Sequence, residues 1–186
     1  MSAFEIAAQA VGILAMVFNI FSFQQKSSGR VIAFQMCGGA LFAVNFFMLG
    51  ATVGGIMNTI AVFRAAVYMN KKRLHADHIA WLIFFMGLYA AAYVLTFTVF
   101  EKPFTAANAV IELLPVIGMT ATNIGFRMQN AGGIRKLGLI SSPAWLIYNI
   151  INFAIGAIIC EVLSLCSIFI GMYRHDRGQK AQQIAE

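Results

Sequence analysis

The chain has 186 residues, 60% of them hydrophobic and only 11% charged, with a mean hydropathy of +0.78. A soluble domain of this size carries roughly a quarter of its residues as charges, and here the apolar residues form long runs, which excludes a soluble globular domain, a disordered chain and a nucleic-acid module. The composition predicts a polytopic membrane protein, so the net charge of +6 is first a matter of topology.

No basic segment precedes the first apolar run, so no cleavable signal peptide is expected and that run is retained. A bilayer core takes about 20 apolar residues per helix. Seven stretches qualify: Phe4–Gln24, Val31–Leu49, Val53–Met69, Ile79–Phe100, Ala107–Phe126, Leu137–Phe153 and Ala157–Tyr173. Two of the breaks, Gly50–Thr52 and Ala154–Gly156, carry no charge and predict tight turns between antiparallel helices. Seven spans put the termini on opposite sides. One face then receives Lys26, Arg30, Lys71, Lys72, Arg73, Arg127, Arg135, Lys136, Arg174, Arg177 and Lys180, and the other receives Lys102 alone. The positive-inside rule makes the first face cytoplasmic and the N-terminus external, which accounts for the basic excess without nucleic acid. Arg64, near the cytoplasmic end of the third span, is expected to snorkel. Trp81 is expected to anchor the fourth span at the interface. Cys37, Cys160 and Cys166 lie in apolar runs and read as small packing residues.

The fourth span divides the rest into two sets of three, which makes the halves parallel. The fold expected is all-α and membrane-integral: two parallel three-helix repeats joined by a linking helix (3+1+3). Its parts are a first triple over 4–73, the linking helix and loops over 74–106, a second triple over 107–175 and a cytoplasmic tail over 176–186. A shift of 104 superposes Asn19 on Asn123, Gln25 on Gln129, Asn45 on Asn149 and Gly39 on Pro143. Past the turns the best shift becomes 103, setting Asn58 against Glu161.

Glu112 and Glu161 are the costly residues. A carboxylate inside a span costs up to roughly 2.5–3.5 kcal/mol on insertion scales, so each needs a partner, water or a proton. No basic residue is expected at their level. They therefore read as solute or proton sites, against the plainer account of a hydrogen bond between helices. Asn19, Asn45, Asn123 and Asn149 serve equally as interhelical glue or as pore lining. Trp145, one turn from Asn149, packs or stacks on a ligand. Pro115 and Pro143 interrupt the backbone ladder and allow a kink or a hinge. His75-Ala-Asp-His78 reads as solvated loop, and no metal or cofactor is expected. With no His, Asp or Lys inside a span, the chain is not expected to be an enzyme.

These residues resemble the YgjV-type bacterial inner-membrane protein family: Glu112-Leu-Leu-Pro-Val-Ile-Gly118, then Trp145-Leu-Ile-Tyr-Asn149, then Glu161 after a Gly-containing turn, with the match covering nearly the whole chain. The resemblance implies an inner-membrane location. The 3+1+3 plan also resembles the PQ-loop superfamily of SWEET and SemiSWEET sugar transporters, in which a polar residue of each third helix binds sugar. Asn58 occupies that place here and Glu161 takes it in the second half, while Phe21-Ser-Phe-Gln-Gln-Lys26 keeps glutamine and lacks proline. The expected function is transport of a small polar solute, by uniport or linked to protons, with Asn58 and Glu161 central. Asn45, Asn149, Asn19, Asn123, Trp145 and Glu112 are expected around them, with Pro115 and Pro143 as hinges. The alternative is a structural or assembly subunit that transports nothing. Small residues Gly50 and Gly54 at an outer turn leave room for oligomer contacts.

Overall fold

The computed structural model describes residues 2–23, 28–128 and 131–173. The Gln25–Gln129 match, Lys26, Arg174, Arg177, Lys180 and the tail over 176–186 lie outside the described residues. Among the described residues the chain forms eight helices: α1 (Ala3–Phe23), α2 (Ser28–Met48), α3 (Thr52–Met69), α4 (Lys71–Leu74), α5 (Ile79–Thr98), α6 (Ala106–Met128), α7 (Ala131–Ile151) and α8 (Ile155–Gly171). The longer seven follow the expected spans. α7 differs most, starting at Ala131 and not at Leu137, because hydropathy marks where a helix becomes apolar and the helical backbone continues into charged residues. α4 is a single turn in the polar break, stopped by His75 in a left-handed conformation (φ 48°).

α1, α3, α5 and α6 are long and apolar enough to cross a membrane, and α2 and α8 contribute shorter apolar stretches, Ile32–Met48 and Ile155–Ile170. Their outward faces expose large apolar side chains such as Ile83, Val94, Val110 and Phe169. A girdle of that kind meets lipid, since soluble surfaces do not carry it. α1 starts with a capping box, in which the Glu5 N–H donates to Ser2 Oγ and the Ser2 N–H to Glu5 Oε2.

α1, α2 and α3 pack in sequence, as do α6, α7 and α8. Across the bundle α1 meets α8 and α3 meets α6, so the first helix of each triple touches the third helix of the other. α5 lies against α3 and α6. The ends of α3 and α6 and the start of α7 form a basic end with Lys71, Arg73, Arg127, Arg135 and Lys136. The α2–α3 and α7–α8 turns form the opposite end, which also holds Lys102.

Those two turns are built alike. Leu49, Gly50 and Ala51 donate their N–H groups to the carbonyls of Asn45, Phe47 and Phe46; 103 positions later Asn152, Phe153 and Ala154 donate to Tyr148, Ile150 and Asn149. The left-handed residue is Gly50 (φ 71°) in one turn and Phe153 (φ 55°) in the other. This register corrects the 104-residue match: at the end of α2, Asn45 corresponds to Tyr148 and Phe46 to Asn149. Likewise Gly39 corresponds to Ser142, not to Pro143. Backbone hydrogen bonds decide the register here, and the coincidence of asparagines does not.

Arg64 does not snorkel. It is 4% exposed, and its Nη1 donates to the Tyr89 hydroxyl (3.1 Å) and the Met119 carbonyl (3.3 Å). Its place on α3 faces α5 and α6, where the planar guanidinium finds two acceptors. Trp81 ties α5 to α4 through Nε1 and the Leu74 carbonyl (2.9 Å) and stacks on Phe85. Gly54 faces inward and is unsuited to an oligomer contact, since a Cβ there would stand 2.8 Å from Tyr148.

Candidate functional site

A cavity of about 510 Å³ lies between the triples. Among the described residues six helices line it (α1, α2, α3, α6, α7 and α8), with none from α5. Its lining runs from Asn149 and Ala157, near the turns, to Asn19 and Arg135 at the basic end. The walls correspond at the offset of the turns: Phe42 with Trp145, Phe46 with Asn149, Asn58 with Glu161, Ala61 with Ser164 and Arg64 with Ser167. Asn19 and Thr122 are a further pair, each bonding the carbonyl four residues back, Ala15 and Gly118.

α7 supplies the most regular wall. Arg135, Gly138, Ser142, Trp145 and Asn149 all line the cavity, and steps of three and four residues keep them on one helical face. The Ser142 hydroxyl approaches the Glu161 carboxylate as a donor. Glu161 itself sits six residues into α8, and among the described residues no ion pair reaches it. Asn58 donates through Nδ2 to the Gly54 carbonyl (2.9 Å), which leaves its amide oxygen as acceptor. Asn149 is 1% exposed, and its Oδ1 has no hydrogen-bond partner among the described residues.

Of the residues expected at a site, the cavity brings together Asn58, Glu161, Asn149, Trp145 and Asn19. Three others lie elsewhere. Asn45 donates to the Ala8 carbonyl (2.7 Å) and joins α2 to α1. Asn123 donates to the Leu82 carbonyl (3.3 Å) and accepts from the Tyr68 hydroxyl (3.4 Å), joining α6 to α5 and α3. Glu112 is buried away from the cavity and pairs with Lys102. The expectation that no base reaches the level of Glu112 is therefore wrong. The α5–α6 connection folds back over the start of α6 and carries the lysine inward. Pro115 and Pro143 sit inside α6 and α7, which continue through them as unbroken helices.

Among the described residues, several contacts join the helices at the end of the bundle opposite the basic end. Gln9 of α1 clasps the α7–α8 turn, its Nε2 donating to the Phe153 carbonyl (2.8 Å) and its Oε1 accepting from the Ile155 N–H (3.1 Å). Gly156 packs directly on the backbone of Gly12, an approach that tolerates no Cβ. The Gly54 N–H donates to the Tyr148 hydroxyl (3.0 Å). Phe46, Trp145 and Tyr148 form a ring cluster with centroids about 6 Å apart.

Four residues that hydropathy and polarity do not mark as site residues, Arg135, Ser142, Gln9 and Tyr148, also stand at the cavity or at the turns. For Arg135 and Ser142 the signal was present, since both fall on the seven-residue steps that lead to Asn149. Gln9 carries no such signal, because its partners are backbone atoms of a turn more than 140 residues away. Among the described residues no group of three His, Cys, Asp or Glu side chains gathers to hold a metal. Asp77 pairs with Lys71 (2.8 Å), and His78 Nδ1 accepts from the Ala80 N–H at the start of α5.

Residues 6–179 match the family model for the bacterial inner membrane protein Imp-YgjV. The chain belongs to that family, and the inner membrane is where it resides. No curated protein and no solved structure matches it.

Proposed function

We propose that this member of the inner-membrane family is a carrier for a small polar solute, working by uniport or coupled to protons. The polypeptide crosses the membrane seven times, with the N-terminus outside and the basic end in the cytoplasm. Its two parallel triples are internal repeats around a central site. The single observation that carries the reading is the cavity that Asn58 and Glu161 share between the triples. A carboxylate at membrane depth is costly unless a partner, water or a proton meets it.

Three further features support it. The matched turns and paired walls favour duplication with the site at the repeat interface. Several contacts join the helices at the end opposite the basic end, and the cavity lining reaches the basic end, which suits a state facing the cytoplasm. Pro115 and Pro143 lie where α6 and α7 would absorb the rocking of one triple against the other. Trp145 and Asn149 contact the solute in this reading, Asn19 lines its exit, and Asn45, Asn123 and Glu112 hold the helices that move.

The test is side-specific labelling. In a background with Cys37, Cys160 and Cys166 replaced, Glu161→Cys is treated with an impermeant maleimide in right-side-out and in inverted vesicles. A carrier is labelled from both sides, faster from the cytoplasmic side. Protection in both orientations would remove the carrier reading. A second reading, a structural subunit, is favoured by Asn45 and Asn123, which hydrogen-bond between helices, and by Glu112, which pairs with Lys102 of the α5–α6 connection.

A further inference from the structure

A second hollow lies outside the central cavity, on the flank where α3 and α5 pack together. Phe63 of α3 and Ala80, Trp81 and Phe84 of α5 line it, and its volume is about 350 Å³. Ala80 and Phe84 stand one turn apart on the same helical face, so the small alanine leaves a notch beside the larger rings. Trp81 packs edge-on against Phe84 and stacks on the buried Phe85, which fixes that wall. Phe63 comes six residues before the end of α3, and Phe84 five after the start of α5. The groove therefore reaches roughly 8–9 Å inward from the helix ends. In a bilayer that is the boundary between headgroups and acyl chains.

The mouth of the groove is basic. α4, the single turn between α3 and α5, carries Lys71, Lys72 and Arg73 in succession. Trp81 is tied to this turn through Nε1 and the Leu74 carbonyl (2.9 Å). Lys71 is spent on Asp77 (2.8 Å), which cancels one charge of each sign. Lys72 and Arg73 are exposed, and among the described residues no ion pair reaches either of them. Two unspent cations thus stand one and two residues before the carbonyl that holds Trp81, at the rim of an aromatic slot.

An apolar slot accepts any acyl chain, so the charges decide its occupant. A zwitterionic phospholipid brings a phosphate to Arg73 and also an ammonium group, which Lys72 and Arg73 repel. A soluble anion answers the cations and makes no use of the slot. A phospholipid whose headgroup is net negative answers both, and clustered bases beside a membrane helix draw such lipids. We propose that the groove between α3 and α5 binds one anionic phospholipid, with an acyl chain against Phe63, Ala80, Trp81 and Phe84 and its phosphate at Lys72 and Arg73. The guanidinium of Arg73 offers the phosphate two parallel donors, and Lys72 adds a point charge. The site is separate from the central cavity and stands whether or not the protein is a carrier.

The experiment reads tryptophan fluorescence of the purified full-length protein in phosphatidylcholine bilayers. Phosphatidylglycerol or phosphatidylcholine with brominated acyl chains, which quench on contact, is added in increasing fractions. Trp145 is buried, so the quenching is that of Trp81, and Trp81→Phe should lose it. Half-maximal quenching is expected at a roughly tenfold lower fraction of the brominated phosphatidylglycerol. Lys72→Gln with Arg73→Gln should bring the two lipids level. Ala80→Leu, which fills the notch, should weaken quenching by phosphatidylglycerol. Lys136→Gln, at the same end but on α7, should leave the preference intact. Elution volume and helical content show that each variant is folded. Equal quenching by the two lipids in the unaltered protein marks ordinary surrounding lipid and overturns the proposal. So does a preference that survives the loss of Lys72 and Arg73, or one that falls as far in Lys136→Gln. Quenching that persists in Trp81→Phe, or is unchanged in Ala80→Leu, puts the lipid outside the groove and overturns it as well.

Discussion

Two glutamates of the same chemistry meet different fates in this bundle. Glu161 faces a cavity and has a serine beside it, whereas Glu112 is 1% exposed and pairs with Lys102, whose side chain is 34% exposed. Removing one partner of a fully buried pair costs about 3–5 kcal/mol, and an exposed pair contributes about 0–1. A pair with one end half-wet falls between them. Lys102→Met is therefore expected to destabilise the protein by about 2 kcal/mol, lowering its unfolding temperature in detergent by several degrees. Adding Glu112→Gln should restore part of the loss, and unchanged unfolding in the single variant would show that the pair contributes nothing. Glu161→Gln removes no ion pair among the described residues, and on the carrier reading its expected effect is on solute binding. The sequence shows both carboxylates and their cost. It does not show which is paired, because Lys102 sits ten positions before Glu112 in a connection whose path back over α6 depends on its packing with α5.

At the level of elements, the span positions were legible from hydropathy and the register between triples was not. A stretch of apolar residues fixes a helix to within a few residues, since the bilayer sets its length. Register depends on which carbonyl each turn N–H selects, and in a chain rich in small and apolar residues an offset of 104 matches side chains as well as 103 does. The turns themselves carry a difference that can be measured. Gly50 adopts φ 71° without strain, but Phe153 adopts φ 55° with a Cβ and a side chain 74% exposed. A left-handed residue with a Cβ costs roughly 1–2 kcal/mol. Gly50→Ala should lower stability by about 1 kcal/mol, and Phe153→Gly should raise it by up to about the same amount, offset in part by the entropy of the more flexible unfolded chain. Unfolding of both variants in one detergent checks the pair. A loss of stability in Phe153→Gly would mean that the exposed ring has a packing role at the turn.

Across the whole molecule, the two contacts between triples are related in kind and unequal in support. α3 meets α6 under the cover of α5, whereas among the described residues no helix covers the seam where α1 meets α8, through Gly12 on Gly156 and the clasp of Gln9 on the α7–α8 turn. If one triple rocks against the other, the uncovered seam separates first and the covered one acts as the pivot. None of this asymmetry was visible in the sequence, where α1 and α8 are the most distant spans and nothing marks Gln9 as their link. A bridge across the seam should therefore trap the closed state. With Gln9→Cys and Ile155→Cys joined by a short bis-thiol reagent, and a cleavable blocking group protecting the cysteine at position 161 until the bridge is made, labelling there should persist from the cytoplasmic side and cease from the outer side. Reducing the reagent's cleavable link should restore outer labelling. If outer labelling survives the bridge, the seam between α1 and α8 is not the path by which the cavity reaches the outside.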